Sequence, residues 1–122
     1  MYYFIPVCDQ KWWNLFDHKE GFVEAFRGTK AMMQGDIVLF YAKYNGIAGI
    51  YGVGEIISDP YINLEDPRAH CYNKTTVDVR ITRIVWEPLF DAEWAKEYLM
   101  PLQGTHSIKP QYNKMIKDVI GF

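Results

Sequence analysis

The chain has no surplus of positive charge. Its 13 lysines and arginines stand against 15 aspartates and glutamates, for a formal net charge of −2 at pH 7. It therefore cannot hold a polyanion by bulk electrostatics, and any phosphate contact has to come from a local patch. Lys11, Lys19, Arg27, Lys30 and Lys43 supply one in the first half of the chain. The two cysteines, Cys8 and Cys71, form no CxxC pair and have no histidine at ligand spacing. That argues against a zinc site and a disulfide framework, and both read as reduced, small apolar residues. No apolar run reaches the roughly 18 residues that span a bilayer, and the opening Met1-Tyr2-Tyr3-Phe4 lacks the basic flank of a signal peptide. The expected setting is cytoplasmic, without a membrane partner. The HExxH, GxSxG and P-loop motifs are absent, and Gly52-Val53-Gly54 falls inside a strand rather than at a strand-to-helix turn. His18, His70 and His106 are scattered, so no metal, cofactor or catalytic group is expected.

What the chain does have is apolar and aromatic. Of its 122 residues 49% are hydrophobic and 16% aromatic, enough for one domain spanning 1–122 with a continuous core. Tyr2 to Val7 reads as a strand, with Pro6 marking an edge or bulge. Asp9 is placed to cap a helix through Trp12, Trp13, Leu15 and Phe16, which Gly21 ends, and a second short helix is expected over Glu24 to Met33. Asp36 to Lys43 is a strand apolar on both faces, Asn45-Gly46 a hairpin reversal, and Ile47 to Ile57 a glycine-studded strand that can bend. Pro60 to Tyr72 is a long loop. Val77, Val79 and Ile81 alternate with Asp78, Arg80 and Thr82, as in a strand with one wet face. Helices are expected at Asp91 to Leu99 and after Pro110, the latter presenting Met115, Ile116, Val119 and Ile120 and stopping at Gly121.

The run Gly35-Asp36-Ile37-Val38-Leu39-Phe40-Tyr41, followed by Asn45-Gly46 and Gly49-Ile50-Tyr51-Gly52-Val53-Gly54-Glu55 and preceded by Gly21-Phe22-Val23, resembles the EVE family of the PUA-like superfamily, whose relatives include the YTH domains. The resemblance implies an α+β fold, a curved antiparallel β-barrel flanked by short helices. It also implies a non-catalytic module that holds a modified base, flipped out of its stack, in an aromatic pocket. DNA is favoured over RNA as partner, and related modules act at the front of methylation-dependent restriction systems beside a larger nuclease or NTPase. The pocket segments of the family match Val7-Cys8-Asp9-Gln10, Gly21-Phe22-Val23, Phe40-Tyr41-Ala42 and His70-Cys71-Tyr72 by position.

Those segments define the expected site. Phe22 and Tyr72 form its walls, with Val23 and Tyr41 beside them. Asp9 or Gln10 reads the base edge. Trp12 and Trp13 cannot both face the core, and Trp12 is taken as the rim residue. Lys19, Arg27 and Lys43 are the phosphate contacts, while Trp86 and Trp94 are expected to serve packing. An RNA reader, a small hydrolase built on His70 or His106, and a protein-interaction module are the competing readings.

Overall fold

A computed structural model describes residues 1–8, 11–67 and 70–121. Its strands are β1 (Tyr2–Pro6), β2 (Val23–Arg27), β3 (Ile37–Tyr44), β4 (Ile47–Ile56), β5 (Tyr61–Ile62), β6 (Thr75–Ile84), β7 (Phe90–Asp91) and β8 (His106–Ser107), with helices α1 (Ala92–Tyr98) and α2 (Asn113–Ile120). They form one curled sheet in the order β2-β6-β4-β3-β1-β8, with β5 added beside β6 and β7 beside β4. The pairing of β1 with β3 is parallel and the other ladders are antiparallel. The result is a mixed half-barrel with two short helices outside it, an α+β fold.

Strict alternation splits the apolar residues between two cores. Along β1 and β3, Tyr3, Ile5, Val38, Phe40 and Ala42 face the concave side together with Phe26, Val77 and Val79. Tyr2, Phe4, Leu39 and Tyr41 face the convex side, where Ala95 and Leu99 from the α1 region and Ile116 and Ile120 of α2 cover them. The two-faced apolar character expected for Asp36 to Lys43 is thus realised. Pro6 ends β1 opposite Tyr41, where its missing N–H costs nothing; the ladder continues through the Val7 N–H, which donates to the Tyr41 carbonyl at 2.8 Å.

Curl comes from two register shifts in β4's ladders, at Phe40/Tyr41 and at Val53/Gly54. At the second shift the Thr82 hydroxyl donates to the Val53 carbonyl at 3.0 Å, satisfying a group that the ladder leaves over.

Two expected helices are corrected. Over Asp9 to Phe16 the described residues hold only a 3-10 turn, Leu15–Asp17, because Asn14 accepts the Phe16 N–H and caps the backbone at that point; Asp9 itself lies outside the described residues. The segment Glu24 to Met33 begins instead in β2, which pairs with β6 from Val23↔Arg80 to Arg27↔Thr76. An available sheet edge outweighs weak helix propensity there, and Gly28 and Thr29 end the strand. The loop Pro60 to Tyr72 contributes the two-residue β5. Trp94 packs as expected, stacked on Phe90 at 3.8 Å, and Trp86, although half-exposed, packs on Phe16 at 5.0 Å and on Tyr44 at 5.2 Å. At the C-terminus Gly121 stops α2 with φ +90°. Among the described residues no helix is long and apolar enough to cross a membrane.

A Cβ at Gly54 would lie 2.6 Å from Val79 Cγ1, 2.9 Å from Phe40 Cε2 and 3.1 Å from the Arg80 carbonyl. Gly54→Ala is therefore expected to destabilise the domain by about 1–3 kcal/mol in urea denaturation, and a neutral result would mean that the strands are not packed this tightly.

Candidate nucleic-acid interface

The segment after β1 splits its two tryptophans. Trp13 is drawn into the concave core at 5% exposure, while Trp12 remains 40% exposed, the division expected from sequence. Trp13 meets Phe26 edge-on at 5.1 Å. On its other side a stacked row runs from Trp13 to His18 at 4.9 Å and from His18 to Phe22 at 4.1 Å.

Trp12 has a different partner. Its indole stacks on the His70 imidazole with centroids 3.5 Å apart and planes at 14°. The two rings border a cavity of about 340 Å³ floored by Ile5, Pro6, Val7 and Phe26 and edged by Arg27, Gly104 and Thr105. Its size falls at the low end of the range for small-molecule sites, roughly 300–1,000 Å³. Burial pushes the His70 pKa below its usual value, opposed in part by the Glu24 carboxylate and a hydrogen bond to the Ala25 backbone. At neutral pH the ring on Trp12 is therefore uncharged, and the contact is aromatic stacking.

A second, smaller cavity of about 140 Å³ lies against the other tryptophan, lined by Val7, Cys8, Trp13, Asn14, Leu15, Ala42 and Lys43. Val7 borders both cavities. The Trp13 Nε1–H is buried without a hydrogen-bond partner among the described residues.

Of the residues marked from sequence, Trp12 and Arg27 meet at the larger cavity and Lys43 borders the smaller. Phe22 and Val23 are exposed at the start of β2, and Tyr72 is half-buried beside the buried Cys71. Phe22, Val23 and Tyr72 line neither cavity. Tyr41 faces the convex core instead, because it neighbours Phe40 on a strand and must take the opposite face. Lys19 is exposed, its carbonyl accepting the Phe22 N–H at 3.1 Å. Asp9 and Gln10 lie outside the described residues. No ion pair engages Lys19, Arg27 or Lys43 among the described residues, so these cations are available to phosphates. Sequence reading missed the pairing of His70 with Trp12, since nothing local links a loop histidine to an indole 58 positions earlier. Among the described residues no group of three or more His, Cys, Asp or Glu is placed to hold a metal ion.

The fold is a curled mixed sheet with an aromatic cavity at the end of β1. The chain matches the EVE domain family over residues 3–113 and belongs to that family. Similar solved structures include a protein from Pseudomonas putida with 18% identity, TM-score 0.67 and coverage of 98% of this chain and 99% of that one. The DUF55 domain of human thymocyte nuclear protein 1 has 13% identity, TM-score 0.67 and 98% coverage of both chains. The human THYN1 protein in complex with DNA containing 5-methylcytosine has 12% identity, TM-score 0.63 and coverage of 97% and 96%. At these identities the likeness is one of fold. The sequence has no match among curated proteins.

Because its imidazole is harder to charge when folded, His70 is expected to titrate below 6.5 by NMR. The sign follows: below that pH the unfolded chain takes up the proton first, so this residue's contribution to stability falls as the solution is acidified. A His70 titration at or above 6.5 would contradict the desolvation of its ring by the stack on Trp12.

Proposed function

We propose that this domain reads a chemically modified base in nucleic acid, DNA in preference to RNA, by drawing the base out of its stack onto the face of Trp12. One observation carries the reading: a neutral, planar heterocycle, His70, already rests on a part-exposed indole at 3.5 Å, the arrangement that a flipped base adopts on an aromatic platform. Because the two rings are in contact, a base gains that face only when His70 swings aside. His70 is then the occupant that the base displaces, and the adjoining cavity receives the base edge.

Ile5, Pro6, Val7 and Phe26 give the cavity an apolar floor on which a buried methyl is worth about 0.8 kcal/mol. Arg27 at its edge supplies a phosphate contact, and exposed Lys19 and Lys43 are the other proposed backbone contacts. Asp9 and Gln10, adjacent in sequence, remain the proposed readers of the base's polar edge, and Phe22, Val23 and Tyr72 the proposed contacts for flanking nucleotides. The neighbouring structure bound to DNA with 5-methylcytosine makes that base the first to test. On the family resemblance the domain serves as a cytoplasmic specificity module, acting with a larger nuclease or NTPase in a restriction system, and performs no catalysis itself. The hydrolase reading gains no support from His106, whose ring nitrogens lie 3.0 Å and 2.8 Å from the Ser107 and Pro101 carbonyls.

Titration against oligonucleotides carrying unmodified cytosine, 5-methylcytosine, 5-hydroxymethylcytosine or N6-methyladenine at fixed salt tests the reading. Trp12→Ala should weaken binding to the preferred modified base by about 1–3 kcal/mol. Arg27→Ala should weaken all sequences alike and lower the salt slope by about 1. If Phe22→Ala abolishes discrimination while Trp12→Ala preserves it, the slot lies between Phe22 and Tyr72 and the Trp12 reading fails.

A further inference from the structure

The two helices cover only part of the convex face. Its core draws on β1, β3 and β4 and on neither β2 nor β6, so the outer side of that end of the sheet is left without a helix. A cavity of about 370 Å³ lies there, among Tyr61, Ile62, Asn63, Leu64, Glu65 and Asp78. Asp78 points outward because Val77 and Val79, on either side of it, face the concave core. The walls of the cavity are apolar, with Tyr61, Ile62 and Leu64 exposed together at one place. Its polar side chains are acceptors. The Tyr61 hydroxyl already donates to the Asp78 carboxylate at 2.7 Å, and the Asn63 side-chain amide donates to Cys71 Sγ at 3.3 Å. No ion pair engages Glu65 or Asp78 among the described residues, and Arg80, next along the same face of β6, is turned to Glu55 at 4.0 Å. Burial raises the Tyr61 pKa, and the hydrogen bond to Asp78 and the charges of Asp78, Cys71 and Glu65 raise it further. Such a cavity repels a phosphate. A cation on an apolar stem suits it.

We infer that this cavity is a docking site for an arginine side chain of a partner protein, set apart from the nucleic-acid face. The guanidinium lies on the Tyr61 ring and donates to Asp78 and Glu65, whose carboxylates come from two different elements, β6 and the loop after β5; a rigid fork of five donors serves both. Its methylene stem and the apolar residues beside it cover Ile62 and Leu64. Tyr61 and Ile62 also border a second cavity, of about 320 Å³, in which Lys30 is the one charged residue among those lining it. A partner segment crossing Tyr61 and Ile62 therefore meets negative charge on one side and positive charge on the other, which fixes its direction. The inference does not depend on which base the domain reads.

The test titrates the whole domain, followed by ¹H–¹⁵N correlation spectroscopy, with a short blocked peptide carrying one arginine between leucines. The same peptide with citrulline or glutamate in place of arginine, and arginine amide alone, are the comparisons. The arginine peptide should shift the backbone signals of Ile62, Leu64, Glu65 and Asp78 saturably. Citrulline, which keeps the shape and loses the charge, should not, nor should glutamate. Arginine amide should bind several-fold more weakly, because it lacks the apolar flanks. Asp78→Asn should weaken the arginine peptide by about threefold to fivefold; should that variant fail to fold, Glu65→Gln, at an exposed loop position, carries the same comparison. A 5-methylcytosine oligonucleotide should leave the four signals in place and not displace the peptide. Equal binding by the citrulline peptide or by arginine amide, binding unchanged in both variants, or displacement of the peptide by the oligonucleotide overturns the inference. None of these results bears on base discrimination by Trp12, so the two proposals fail separately.

Discussion

The backbone of β4 is bare at three points, Gly49, Gly52 and Gly54, and its neighbours use all of them. At Gly54 the side chains of Val79 and Phe40 close to a distance that leaves no room for a Cβ, and at Gly52 Leu15 does the same, its Cδ2 2.9 Å from where a Cβ would stand. The first approach lets β6 and β3 bend around β4, which turns a flat sheet into a half-barrel. The second seats the 3-10 turn Leu15–Asp17 directly on that strand. With Leu15 fixed there, the residues immediately before it are held over the open end of β1, Trp13 inward and Trp12 outward. The aromatic surface is therefore a consequence of close packing several residues away, and its geometry is inherited from the sheet.

From that placement the chemistry follows in two parts. Trp12 offers an indole face that is accessible enough to stack and is already paired with a neutral imidazole. Trp13 offers an indole edge whose N–H is buried with no acceptor among the described residues. Stacking is tolerant of which base is present, while a buried donor is intolerant of anything but an acceptor. A domain with a net charge of −2 cannot rely on its overall field to gather nucleic acid, so the proposed binding depends on local cations such as Arg27 at the cavity edge.

Much of the sheet was legible in the sequence because its signals are local. Ile37 to Phe40 declared a strand buried on both faces, Asn45-Gly46 a hairpin, and the alternation from Val77 a half-wet strand. Asp91 and Gly121 marked helix ends by capping chemistry that operates within a few residues. The first third of the chain was less readable. Helix and strand propensities are nearly balanced over Val23 to Arg27, and β6, some fifty residues later, decides the outcome. The Asn14 cap overrode the helix expected through Trp12 to Phe16. The exposure of Trp12 could be anticipated, because two adjacent tryptophans cannot both face the core. The neighbour that Trp12 chooses, His70, is fixed only by how a distant loop folds back, and no spacing rule carries that information.

The claim on which the functional account turns is that Trp12 is the platform for the recognised base. The most direct measurement is a crystal structure of the domain bound to a short oligonucleotide containing one 5-methylcytosine. The account predicts the methylated base stacked on the Trp12 indole, with the His70 ring displaced from its 3.5 Å contact. A complex in which the Trp12–His70 stack persists and the modified base is held elsewhere, whether between Phe22 and Tyr72 or still within the duplex, would contradict it.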